Sequence, residues 1–185
     1  SKDLKRLIAY SSVSHMGFVL LGIASLTPEG VAGSVYQMFS HGIISAMLFL
    51  LAGVLYDRTN DRMIANYSGL SIKMPSYTAF VLIAFFASMG LPGFSGFIAE
   101  IMVFLGAFKS NSIHGPLHES LAIVATLGLV LGATYYLWTL QRMFFGPFNL
   151  KGNISSDQVY DVNVREYSML IPLAAAALFF GIYPQ

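Results

Sequence analysis

Apolar residues run almost unbroken through five stretches of the chain, 4–26, 31–56, 75–108, 118–145 and 167–183. A helix that crosses a bilayer needs about 20 mostly apolar residues. The pattern therefore predicts an all-α, polytopic transmembrane bundle of five spans. Linkers at 27–30, 57–74, 109–117 and 146–166 carry the Gly, Pro, Asn, Asp and Ser of turns. The third stretch is too long. As one helix, residues 75–108 would reach roughly 50 Å, against a hydrocarbon core of about 30 Å. Gly90, Pro92, Gly93 and Gly96 interrupt it, and the expectation is one discontinuous helix with non-helical backbone within 90–96. Irregular backbone survives at membrane depth only where protein or a water-filled cavity covers it. Transporters place ion sites beside such breaks.

Polar residues inside the apolar stretches change the picture further. Glu100 follows the break, in the first turns of the second half-helix, where the positive end of a helix dipole favours a carboxylate. A Pro kink with a snorkelling acid is the plainer reading. Against it, Glu100 stands nine residues from Lys109, too far for its short side chain to reach water. His15 lies about 15 Å along the first span from Lys5, and His41 about 20 Å from Tyr56 in the second. Three ionisable groups on three helices thus share the middle of the membrane. Ser34, Gln37, His41 and Ser45 are spaced by 3, 4 and 4 and form one polar stripe. On the first span Lys5, Ser12 and His15 are assigned one face, with Ser11 at its edge. Such stripes face a bundle interior or a wet cavity. The serines could equally pin helices together. For Glu100, His15 and His41 a proton relay is the better account, because burial moves acid and imidazole toward neutrality from opposite sides.

Composition agrees. Hydrophobic residues make up 56% of the 185 and charged residues only 10%, with mean hydropathy +0.67, where a soluble domain has roughly a quarter charged. The net charge of +1 gives no reason to expect nucleic acid. Without cysteine there is no disulfide, no thiolate metal site and no cysteine-held iron–sulfur cluster. Alternate loops place Lys2, Lys5, Arg6, Arg58, Arg62, Lys73, Arg142, Lys151 and Arg165 on one side and Lys109 alone on the other. The positive-inside rule makes the first side cytoplasmic, or its matrix or stromal equivalent. Arg58, Arg62 and Lys73 are accounted for by topology alone. Tyr135, Tyr136, Trp138, Phe144 and Phe145 are expected in an interfacial aromatic belt. Gly128, Gly132 and Ala133 are expected to pack helices, and His114 and His118 to be solvated. A charged opening segment and an abrupt apolar finish give the chain the look of part of something longer.

Three segments carry a resemblance: LKRLIAYSSVSHMGF (4–18), QMFSHGIISAMLFLLAGVLYDR (37–58) and MGLPGFSGFIAE (89–100). Together they closely resemble the antiporter-like membrane subunits of NADH–quinone oxidoreductase, respiratory complex I. Glu100, where sister subunits L and N typically carry lysine, and the histidine of SVSH look most like subunit M, the mitochondrial chain 4. The resemblance implies helices ten to fourteen of a fourteen-helix, inverted-repeat fold. Residues 1–145 would hold four helices of the second repeat, 146–166 a cytoplasmic-side loop and 167–185 the final helix. It implies that His15 and His41 are relay residues and that Glu100 ends the second half-channel. It further implies a multi-pass subunit of the bacterial inner membrane or the mitochondrial inner membrane. Its partners would be the bilayer and other membrane-arm subunits, especially L and N. No cofactor is expected in this chain; NADH, FMN, iron–sulfur clusters and quinone belong to partner subunits. The upstream glutamate and lysines of the family pattern are absent, so this piece alone should not pump.

Rival readings are a multisubunit cation/proton antiporter or the membrane arm of a hydrogenase or photosynthetic complex I, which share much of the motif set. A haem-binding electron carrier with His15 and His41 as axial ligands leaves the broken helix and Glu100 unexplained. A passive structural bundle leaves the polar row without a role.

Overall fold

The computed structural model describes residues 2–112, 115–152 and 154–183. His114 lies outside them. Seven helices follow one another: α1 (Leu4–Ala24), α2 (Pro28–Thr59), α3 (Leu70–Lys73), α4 (Pro75–Ser88), α5 (Ser95–Ser112), α6 (Glu119–Phe144) and α7 (Val164–Ile182). Two short strands, β1 (Tyr67–Ser68) and β2 (Asn149–Leu150), pair antiparallel with Tyr67 opposite Leu150. Four helices, α1, α2, α6 and α7, are each long and apolar enough to cross a membrane.

Local chemistry sets the ends. Asp3 caps α1 by accepting from the Arg6 N–H at 3.0 Å. Thr27 caps α2 by accepting from the Gly30 N–H at 3.1 Å, with Pro28 in the first turn, where a missing N–H costs nothing. The linker expected at 27–30 is therefore shorter, and α2 begins inside it. Asn60, in the left-handed region at φ 50°, stops the helix.

Between Ser88 and Ser95 the backbone is non-helical. Gly90 and Gly93 have φ +65° and +96°, which residues with a Cβ rarely adopt. The expected interruption at 90–96 is thus two helices with a connection at 89–94, and Gly96 already belongs to α5. Neighbouring elements cover this connection. A Cβ built on Gly181 of α7 would strike the backbone of Gly93 and Phe94, so α7 lies directly on it. α2 is central and packs against α1, α4, α5 and α7.

One end of the bundle gathers most of the basic residues. The Leu4 N–H donates to the Arg62 carbonyl at 2.9 Å, Arg62 pairs with Asp3 at 3.7 Å, and the β1–β2 pair ties the linker after α2 to the linker after α6. Lys109 lies at the other end and pairs with Glu29. Arg58 does more than set topology. Its guanidinium is buried, donates to Glu166 Oε2 at 2.6 Å and to the Asp161 carbonyl at 3.2 Å, and stacks over the Tyr160 ring. Asp161 in turn accepts from the Ser76 and Tyr77 N–H groups, both at 2.9 Å. It thereby caps α4, which has no capping side chain of its own.

The aromatic belt dissolves in part. Trp138 and Phe145 are exposed, but Tyr136 and Phe144 are fully buried. Tyr136 packs on Phe85 and Phe144 on Tyr77. Neighbouring aromatics on a helix point in different directions, about 100° apart, so a cluster in sequence divides between core and surface.

Candidate functional site

Five helices bring polar groups to one place in the middle of the bundle. α1 supplies His15 from its buried face, along with Leu4, Leu7, Ile8 and Ser11. That face contains Ser11 and not Lys5 or Ser12. Four residues turn a helix about 40° past one revolution, whereas three fall 60° short and ten miss by more. Lys5 is exposed, and half-buried Ser12 points back to the Ile8 carbonyl at 3.3 Å. Neither joins His15.

α2 contributes Gln37 and His41. Gln37 Nε2 is 3.3 Å from His15 Nδ1, and the His15 and His41 rings lie 5.2 Å apart, centre to centre. Ser45 Oγ is 2.9 Å from His41 Nε2. Ser34 stands apart. It is 2.9 Å from both the Val19 and Gly30 carbonyls, the geometry of a pin between α1 and α2.

α5 supplies Glu100, only 6% exposed. Its Oε1 is 3.9 Å from His15 Nδ1, too long for a hydrogen bond and right for a contact completed by water or a small rotation. Glu100 is the sixth residue of α5, in its second turn, just past the first turn where the helix dipole expected for it acts. The connection at 89–94 admits the carboxylate by another route. A Cβ on Gly90 would collide with the Glu100 carboxylate, so Gly90 leaves the space that the acid fills. Ser95, at the start of α5, bonds to Ser40 of α2 at 2.7 Å and fixes the second helix. Pro92 is exposed and touches none of these groups.

Sequence reasoning missed two members. Ser88, the last residue of α4, lies 3.2 Å from His15 Nε2 and 2.6 Å from Tyr136 Oη of α6. Its place just before the MGLPG turn was the available signal. A cavity of about 10 Å³, room for roughly one water, lies between His15, Ser88, Glu100, Gly132 and Tyr135.

The hydrogen bonds allow His15 two protonation states. With Gln37 donating to Nδ1, Nε2 carries the proton and donates to Ser88. A protonated ring needs an acceptor at Nδ1 as well. Gln37 Oε1, buried and unpartnered among the described residues, is that acceptor after an amide flip, and Glu100 is a second. Both ring nitrogens of His15 thus have partners within the protein.

Comparison with known proteins gives a consistent picture. The family described as NADH:quinone oxidoreductase/Mrp antiporter, TM, matches residues 1–126. NADH-ubiquinone oxidoreductase chain 4 of Chondrus crispus is 48% identical over 183 residues, 99% of this chain and 35% of that protein. NADH-quinone oxidoreductase subunit M of Rhodobacter capsulatus is 43% identical over 184 residues, 100% of this chain and 34% of that protein. A chain of respiratory complex I from Thermus thermophilus, solved with bound NADH, superposes with a TM-score of 0.87 at 37% identity, over 100% of this chain and 36% of its own length. The present chain spans about a third of the length of the curated relatives it matches. By sequence and by fold alike, it belongs to the NADH:quinone oxidoreductase/Mrp antiporter transmembrane family.

Proposed function

We propose that the chain is part of a proton-translocating membrane-arm subunit of NADH–quinone oxidoreductase. In it, protons pass along His41, His15 and Glu100 while quinone is reduced in other subunits. The observation that carries this reading is the cluster itself: two histidines and a carboxylate from three helices, His15 and Glu100 buried and His41 half-buried, gathered in the middle of an apolar bundle. Ionisable groups there are costly and serve ion pathways. α4 and α5 act as one broken crossing, the third of five, with the connection at 89–94 inside the membrane. The basic end is the cytoplasmic or matrix side, by the positive-inside rule. The membrane is the bacterial inner membrane or the mitochondrial inner membrane. Neighbouring subunits are the antiporter-like L and N, and NADH, FMN, iron–sulfur clusters and quinone belong to other partner subunits.

A relay here works by small changes. A proton on His15 draws Glu100 toward Nδ1 through the gap now 3.9 Å wide. Its loss returns Nδ1 to the Gln37 amide. Cation–proton exchange is the second reading, because the description of the matching family names Mrp antiporters. The test is the full-length subunit in its assembled complex, reconstituted in vesicles. NADH-driven proton uptake that falls on His15→Ala or His41→Ala, at unchanged assembly, is the expected result. Unchanged uptake in both variants and in the double variant would remove the relay, and uptake driven by a sodium gradient without NADH would favour the exchanger.

A further inference from the structure

His15 has two ring nitrogens, and the relay above uses only Nδ1. Nε2 points the other way, 3.2 Å from Ser88 Oγ, which is 2.6 Å from Tyr136 Oη. Both residues are buried. Beyond them the Tyr135 ring packs 4.6 Å from the Tyr136 ring. Tyr135 also forms a wall of a second cavity of about 140 Å³, shared with Leu7, Tyr10 and Ser11. Three of those four side chains carry hydroxyls. Ser11 and Leu7 precede His15 in α1, about 6 and 12 Å nearer the basic end of the bundle at 1.5 Å per residue.

Ser88 is used unlike most buried hydroxyls of this bundle. Ser11, Thr78 and Thr139 each donate to a carbonyl of their own helix. Such bonds satisfy the hydroxyl and lead nowhere. Ser88 instead bridges an imidazole and a phenol on two other helices. Ser11 donates to the Ile8 carbonyl at 2.7 Å, so its proton is committed to its own helix.

We propose that Ser88, Tyr136 and Tyr135 form a second proton branch, leading from His15 Nε2 toward the basic end of the bundle. His15 is then a fork, with Glu100 on one arm and the hydroxyls on the other. The inference rests on the proton-translocating reading above. Each transfer balances. The Nε2–H bond of protonated His15 breaks as a new O–H forms at Ser88. The original Ser88 proton passes to Tyr136 Oη, whose own proton passes to Tyr135 and then to water in the cavity. His15 is left neutral, every hydroxyl ends with one proton, and one proton has moved. Rotation of the hydroxyls resets the chain.

The test uses Ser88→Ala, Tyr136→Phe and the double variant in the full-length subunit of the assembled complex in vesicles, with Glu100→Gln alongside. Tyr136→Phe keeps the ring that packs on Phe85 and removes only the hydroxyl. Each single variant is expected to slow proton translocation about tenfold or more per assembled complex, and the double no further, because links in series fail together. Translocation within about twofold of the unaltered protein in both singles, with Glu100→Gln inactive, would overturn the branch and leave the Glu100 relay standing. Normal translocation by Glu100→Gln as well would take down the relay reading itself. Losses that track reduced assembly and add in the double variant would make Ser88 and Tyr136 pins between helices and overturn the branch too.

Discussion

Two regions of this bundle bury charge, and they treat it in opposite ways. At the basic end, Arg58 is held by Glu166 and the Asp161 carbonyl and stacked on Tyr160, while the Asp161 carboxylate accepts three N–H bonds, from Ser76, Tyr77 and Val162. The two guanidinium nitrogens without an oxygen partner, Nε and Nη1, belong to a group that rests on the Tyr160 ring, which attracts it electrostatically. In the middle, Glu100 stops 3.9 Å short of His15, Gln37 keeps one oxygen unpartnered, and a water-sized cavity lies beside them. A buried charge gripped by a carboxylate, a carbonyl and a ring is held in place. On the relay reading, Glu100, one contact short of His15, can take and release a proton by a small movement.

Substitutions should separate the two regions. The largest effect is expected from Glu100→Gln, which keeps the shape and removes the titration. Proton uptake in vesicles should fall by about two orders of magnitude or more with the complex still assembled, and Glu100→Asp should retain part of it. Near-normal uptake by Glu100→Gln would make the carboxylate structural and erase the contrast. Arg58→Ala should show the reverse pattern. Removing one member of a buried pair costs about 3–5 kcal/mol, so the yield of assembled complex should drop while turnover per assembled complex stays close to normal. Equal losses of both would mean that the clasp also takes part in transport.

Gly90→Ala probes the boundary between fold and site. The residue sits at φ +65°, and its added Cβ would meet the Glu100 carboxylate. Displacing that acid should slow translocation about tenfold, an effect smaller than that of losing it. Gln37→Leu is expected to do less. It removes one hydrogen bond to His15, worth about 1 kcal/mol, and should slow transfer several-fold while leaving assembly intact.

The smallest effect is a pH dependence that should be missing. Burial alone would raise the Asp161 carboxyl, but the three N–H groups outweigh it and hold it below the usual carboxylate range. A lowered folded-state value means that the stabilisation is complete above the unfolded value, about 4, and is lost only as pH falls through the folded one. The stability of the assembled complex should therefore owe no slope to Asp161 between about pH 5 and 9. An Asp161→Asn variant should lose a constant amount across that range in a thermal-stability series. A loss that shrank toward the acid end of that range would show that the clasp titrates within it.

The amino-acid sequence by itself determined most of the long helices, the place where the third apolar stretch is interrupted and the residue types that meet in the middle of the bundle. Apolar run length, turn residues and the excess length of 75–108 are local properties, so they can be read without neighbours. Helix periodicity also carried Gln37, His41 and Ser45 onto one face of α2. It misplaced Lys5 and Ser12, because α1 differs in which of several near-equivalent faces it buries, and packing makes that choice. The partners of His15 were decided only in three dimensions. Ser88 and Tyr136 are 73 and 121 positions away in the chain, and nothing in their local patterns distinguishes a core bridge from a cap or an interfacial belt. Glu100 shows both parts of the lesson. Its presence beside a break was legible, but its reason for being there was not a helix dipole. It was the missing side chain of Gly90, a vacancy that exists only when α4 and α5 are folded against each other.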